Sequence, residues 1–180
     1  MVILNGTKTE KNLKDAFAGE SQARNRYTYF AAKAKSEGLD KIAAIFEESA
    51  INEREHAKMW FKLLSGGDIP ATPDNLIAAA AGEHEEWTAM YKRMADEARE
   101  DGFNGIAYLF DSVAKIEKEH EERFLMLTKE LTGDAATDKK EKTIWICSNC
   151  GHILDDDQAL DKCPVCDDPQ AVFTKRVVNY

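Results

Sequence analysis

No stretch of this sequence approaches the roughly 20 consecutive apolar residues that a membrane-spanning helix needs. The longest uninterrupted apolar run is Leu76 to Ala81. Basic charge is also short: 24 lysines and arginines stand against 33 aspartates and glutamates, a net charge of −9. That balance argues against nucleic acid or an anionic membrane as the main partner. The N-terminus, Met-Val-Ile-Leu-Asn-Gly, has neither the basic start nor the apolar run of a signal peptide, so a soluble, cytoplasmic protein is expected. Cysteine is absent until Cys147, and all four cysteines then crowd into one short segment ending at Cys166. Such crowding is a poor pattern for a disulfide framework and a good one for a metal.

What the sequence does contain is helix. Its 180 residues leave room for one ordinary domain and a small one, and 43% hydrophobic content suffices for a core. Four long helical patterns fill residues 7 to 132. The first opens at Thr7 and Glu10, in capping-box spacing, and ends before Gly38; its inward stripe runs through Leu13, Phe17, Glu20, Tyr27, Ala31 and Ala34. The second spans about Asp40 to Ser65, with a stripe through Ile42, Phe46, Ser49, Glu53, His56, Trp60 and Leu63. The third opens at Thr72-Pro73, with Thr72 as cap, and runs through Leu76, Ala79, Glu83, Glu86, Met90 and Met94 to Gly102. The fourth spans about Asn104 to Thr132, through Ile106, Phe110, Val113, Glu117, His120, Phe124 and Leu127. Tight connections at Gly38-Leu39 and Gly102-Phe103 predict antiparallel neighbours, and the longer Ser65–Thr72 connection suits a ferritin-like crossover.

The helical region repeats itself. Ser36–Phe46 aligns with Glu100–Phe110 at an offset of 64, which also carries Glu53 onto Glu117 and His56 onto His120. An offset of 63 carries Gly19-Glu20 onto Gly82-Glu83. Two copies of one helical hairpin are expected, giving a four-helix bundle over residues 1–133. Residues 134–143 are polar and stripeless and read as a linker. Residues 144–180 read as a small module of short β-prone pieces.

Glutamate and histidine interrupt the apolar stripes at Glu20, Glu53, His56, Glu83, Glu86, Glu117 and His120. Residues three apart share a helix face, so Glu53 with His56, and Glu117 with His120, can address one object. A glutamate on each of two helices plus Glu-x-x-His on each of the other two is the constellation of a di-iron or di-manganese site. One such glutamate is ordinarily a solvated side chain. Five on inward faces would cost more than an ordinary domain's stability if left unpaired, and two divalent cations would compensate most of that charge. Glu86 breaks the symmetry, since Ala23 is its counterpart. We expect Glu86 and His56 to compete for one metal, the hard anion suiting Fe(III) and the imidazole tolerating Fe(II). Tyr27 is expected to hydrogen-bond a glutamate ligand; Tyr91 lies similarly near Glu83.

The cysteines read Cys147-Ser-Asn-Cys150 and Cys163-Pro-Val-Cys166. Two C-x2-C pairs close a tetrahedron around one ion, zinc or iron. Trp145 and Phe173 are placed to shelter it, and the Cys150-Gly151 and Cys163-Pro164 pairs match rubredoxin usage. The last cysteine is followed by Asp167 and Asp168. His152 is expected to be exposed and not a ligand.

A mainly α protein of this kind, a ferritin-like four-helix bundle followed by a small rubredoxin-like knuckle domain, resembles the rubrerythrin family over nearly the whole chain. The resemblance implies a non-haem di-iron centre on the seven bundle residues and an Fe(Cys)4 centre on Cys147, Cys150, Cys163 and Cys166. His56, Glu86 and Tyr27 are then the candidate catalytic side chains. It further implies reduction of hydrogen peroxide to water, with electrons from an NAD(P)H-dependent reductase or rubredoxin, and a homodimer in which one subunit's cysteine site lies near the other's di-iron site. Three alternatives use the same ligands: an oxygen-reducing oxidase, a ferroxidase feeding iron storage, and a non-enzymatic iron-binding protein with a structural zinc tail.

Overall fold

The structure is a computed structural model, and it describes residues 3–133, 142–154, 160, 162–167 and 173–178. The chain forms two compact units, Met1–Pro70 and Ala71–Tyr180. The mainly α class read from the sequence is the one observed.

The first unit is a helical hairpin of α1 (Lys8–Ser36) and α2 (Asp40–Leu64). The Thr7 hydroxyl accepts the Glu10 N–H at 3.1 Å, while the Glu10 carboxylate reaches back to the Gly6 N–H at 2.6 Å. Two orphan donors at the helix start are thereby satisfied. At the far end Gly38 takes φ +75°, and the Leu39 N–H closes on the Ala34 carbonyl at 2.9 Å. That is a Schellman stop, which glycine permits without Cβ strain. The helices meet along buried alanines, Ala23, Ala31 and Ala34 facing Ala43, Ala50 and Ala57.

The second unit repeats this hairpin. Its descending arm is α3 (Thr72–Glu85), a five-residue π-turn (Glu86–Met90) and α4 (Tyr91–Glu100); its ascending arm is α5 (Asn104–Thr132). The turn repeats too, with Gly102 at φ +84° and the Phe103 N–H on the Ala98 carbonyl at 2.7 Å. Buried Ala95, Ala98 and Ala107 line the seam. Tyr27 stacks on Phe46 with ring centroids 6.1 Å apart, and its counterpart Tyr91 stacks on Phe110 at 6.0 Å, both pairs inclined by 37°.

The π-turn explains the two repeat offsets. Glu20 maps onto Glu83 at 63, but Tyr27 maps onto Tyr91 at 64, so one residue has been inserted between Glu83 and Tyr91. The insertion is absorbed locally: the Tyr91 N–H bonds the Glu86 carbonyl, five residues back. The third helix is therefore interrupted where a continuous one was expected. Its cap also moves, with Ala71 in the cap position and Thr72 already helical.

Three predicted inward apolar residues are exposed: Ile42 at 47%, Leu63 at 51% and Ile106 at 46%. Each lies in the first or last turn of its helix. No described helix is long and apolar enough to cross a membrane.

Within the second unit, α5 ends at Gly133, which adopts φ +80°. The linker expectation falls largely outside the described residues, and β1 begins at Lys142. A three-stranded antiparallel sheet, ordered β2-β1-β3, joins β1 (Lys142–Cys147), β2 (Ile153–Leu154) and β3 (Phe173–Val178).

Candidate metal centres

In the first hairpin, α1 presents Glu20 while α2 presents Glu53 and His56, and all three offer ligand atoms within 4.8 Å of one another. His56 Nδ1 lies 2.8 Å from Glu53 Oε2 and 4.0 Å from Glu20 Oε1. In the second hairpin α3 presents Glu83 and α5 presents Glu117 and His120, again within 4.8 Å. His120 Nδ1 lies 2.8 Å from Glu117 Oε2 and 3.8 Å from Glu83 Oε1. The two clusters are repeats of each other to within a few tenths of an ångström.

Without a cation such clusters are under electrostatic stress. Burial, followed by the hydrogen bond and negative charge of Glu53, pushes the Glu20 carboxyl above its ordinary range. Burial and the charge of Glu117 do the same to Glu83. Both effects disfavour the anion, and a bound cation opposes both. Three oxygen and nitrogen donors converging on one point fit a divalent transition metal such as iron or manganese.

Glu86 joins neither cluster. It is half-buried at the start of the π-turn and close enough to Tyr91 to act on it. Burial, then the charges of Glu117, Glu86 and Glu83, hold the Tyr91 hydroxyl above the usual tyrosine range. Tyr27 differs from expectation. Among the described residues its hydroxyl makes no hydrogen bond to a glutamate, and its ring packs on Phe30 and Phe46. In the second hairpin Glu117, Glu86 and Glu83 act on the repeat-related tyrosine, Tyr91.

The four cysteine sulfurs also converge. Cys147 Sγ is 3.9 Å from Cys166 Sγ, and Cys150 Sγ is 3.6 Å from Cys163 Sγ. A tetrahedral ion with metal–sulfur bonds of about 2.3 Å requires sulfur–sulfur edges of roughly 3.8 Å, so the thiols are spaced for one. Burial is the main reason the Cys150 and Cys163 thiols are pushed up, so metal binding must displace their protons. Phe173 is buried beside Cys147 and Cys163, and Trp145 packs against that group, the shelter read from the sequence.

The knuckles are twins. The Gly151 N–H bonds the Cys147 carbonyl at 2.9 Å and the Asp167 N–H bonds the Cys163 carbonyl at 3.1 Å; Gly151 adopts φ +80° and Asp167 φ +55°. An aspartate there pays a cost that glycine avoids. Asp167→Gly is expected to stabilise the metal-loaded module by about 0.5–1 kcal/mol. Slower metal extraction by a chelator is the measurement that checks it. His152 is half-buried rather than exposed, and its backbone carbonyl accepts the Cys147 N–H at 2.8 Å. Burial and nearby Lys115 lower its imidazole's proton affinity.

The cysteine knuckle sits against α5 of its own chain. A Cβ placed on Gly151 would lie 3.0 Å from Ile116 Cγ2 and 3.3 Å from His120 Nε2. A cavity of about 460 Å³ is lined here by His120, Arg123, Cys147, Cys150 and Lys175 among others.

Comparison with known proteins agrees with this anatomy. The family description "Rubrerythrin" matches residues 11–128, and "Rubrerythrin, rubredoxin-like domain" matches residues 145–174. Rubrerythrin of Porphyromonas gingivalis is 46% identical over 188 residues, covering 98% of this chain and 94% of the relative. Rubrerythrin of Nitratidesulfovibrio vulgaris is also 46% identical, over 191 residues and the full length of both. A solved structure of nigerythrin in its fully reduced, all-ferrous state is 28% identical, covers 97% of this chain and 92% of that one, and gives a TM-score of 0.42. With two carboxylate–histidine clusters, a four-thiolate knuckle and full-length relatives at this identity, the chain belongs to the rubrerythrin family, whose members are oxidoreductases that bind a di-iron centre.

Proposed function

We propose that this chain reduces hydrogen peroxide, which takes up two electrons and two protons to give two molecules of water. Electrons are delivered from an NAD(P)H-dependent reductase or a rubredoxin through the chain's own four-cysteine centre. The observation that carries this reading is the seating of that centre on α5, with Gly151 against His120. Filled with iron, a tetrahedron of four thiolates has no open position, so it would pass electrons and bind no substrate.

The proposed ligands are Glu20, Glu53, His56, Glu83, Glu86, Glu117 and His120 for the di-iron centre, and Cys147, Cys150, Cys163 and Cys166 for the single iron. Held by these groups, iron would supply the two electrons and polarise the O–O bond. The chain's own work is to neutralise and orient. Before a metal enters, Glu53 and Glu117 hold the imidazoles of His56 and His120 toward the clusters through contacts of 2.8 Å, which coordination would replace. Glu86 and His56 would be the two groups that compete for one of the metals, and Tyr91 stands on the same arm as Glu86, within reach of its charge. The proposed organisation is a bundle over residues 1–133, a linker over 134–143 and a redox module over 144–180, acting as a cytoplasmic homodimer.

The first test is the visible spectrum of air-oxidised protein from an anaerobic, iron-replete preparation, with iron and zinc assayed together. A red protein that bleaches with dithionite and recovers with a stoichiometric amount of peroxide is expected. A colourless module filled with zinc overturns the electron-delivery role, and recovery with oxygen but not peroxide replaces the substrate.

A further inference from the structure

Glu121 is an acidic residue that the metal clusters do not use. Its side chain is only 15% exposed, and each oxygen is engaged: Oε1 lies 2.9 Å from His84 Nδ1, and Oε2 accepts the Trp87 indole N–H at 2.5 Å. His84 and Trp87 meet edge to face at 5.6 Å, and the Lys118 ammonium stands 5.8 Å from the indole centroid. The Thr88 hydroxyl closes the arrangement by donating to the His84 carbonyl at 2.5 Å.

The position of these residues along the chain gives the cluster meaning. His84 follows Glu83, Trp87 follows Glu86, and Glu121 follows His120. Neighbours on a helix are about 100° apart, so these side chains are turned well away from the direction of the candidate ligands beside them. They tie together the two arms that must hold Glu83 and Glu86 in register with Glu117 and His120. The first hairpin, which lacks the inserted residue, has no such tie: the counterparts of His84 and Glu121 are Ser21 and Ala57, and Ser21 bonds only the Phe17 carbonyl of its own helix. The tie therefore accompanies the π-turn. A π-turn gives up the regular four-residue hydrogen-bond ladder, and contacts from a neighbouring helix can fix the turn in place.

We propose that Glu121 is a positioning residue that clamps the π-turn to α5 through Trp87 and His84, and so holds the carboxylates of the second hairpin in metal-binding register. This rests on the metal-centre reading above. The variants are Glu121→Leu, which keeps bulk but removes both oxygens, and Trp87→Phe, which keeps a ring but removes the N–H. The probe is cobalt(II), added to metal-free protein whose cysteine module has first been filled with zinc, and followed by its visible absorption. Wild type is expected to take up two cobalt ions. Each variant is expected to weaken one of them by about 10–100-fold, as loss of a ligand-supporting partner does. The other affinity and the melting temperature of the metal-free protein should stay nearly unchanged. If both affinities and the metal-free melting temperature fall together, Glu121 is merely structural and the proposal fails. It fails equally if neither affinity moves. Wild type that binds no cobalt at the carboxylates sinks the metal-centre reading itself, a distinct result.

Discussion

Replacing Cys150 with serine is expected to abolish reductase-linked peroxide turnover while leaving one round of peroxide reduction intact. Cys150 and Cys163 face each other at 3.6 Å across the tetrahedron, and losing one thiolate removes a ligand outright. The loss should exceed the roughly 10–100-fold penalty of removing only a ligand's supporting partner. The carboxylate clusters draw on other residues altogether, so chemically reduced Cys150→Ser protein should still consume peroxide once, at a rate close to wild type. Stopped-flow mixing measures the single round and NADH oxidation with a reductase measures the sustained one. Loss of both in a protein with native helix content would refute the division of labour between module and bundle.

Gly151→Ala is expected to have the second largest effect, at a position that holds no metal. Two penalties coincide there. The backbone sits at φ +80°, where an L side chain costs about 1–2 kcal/mol. The new methyl would also stand 3.0 Å from Ile116, a 5%-exposed side chain with little room to retreat, and 3.3 Å from the His120 imidazole. The module should be pushed off α5 with its four thiolates intact. Iron content and the red chromophore are then retained, while reoxidation of the reduced cysteine centre by peroxide slows. A normal rate of reoxidation in Gly151→Ala would show that electrons do not use this contact.

Much of this anatomy was legible in one chain because its chemistry repeats at short spacing. Glu53 with His56, and Glu117 with His120, announce a shared helix face by being three residues apart, and the cysteine pairs announce their knuckles in the same way. Capping was legible at Thr7 and not at Thr72, where a proline start leaves the boundary to be decided by one residue. Burial at the helix ends was not legible: Ile42 and Ile106 keep the stripe's period but outrun their neighbours. Nor was the clamp, since Trp87 and Glu121 are 34 positions apart and nothing local marks them as partners. Tyr27 and Tyr91 hold equivalent places in the repeat and stack on equivalent phenylalanines, with Glu86 on one arm where the other has Ala23. The π-turn had a signal all along, in the repeat offset that changes from 63 to 64 between Glu83 and Tyr91.

That change amounts to a single codon. Added to a straight helix, one residue would rotate every later side chain by about 100° and scatter Tyr91, Ala95 and Ala98 off the seam. Confined to a bulge, it leaves both flanks in their old phase, so that Tyr91, Ala95 and Ala98 keep the places that Tyr27, Ala31 and Ala34 hold in the first hairpin. A gene that doubled a hairpin could thus lengthen one arm by one in-frame codon and leave the packing on either side of it unchanged.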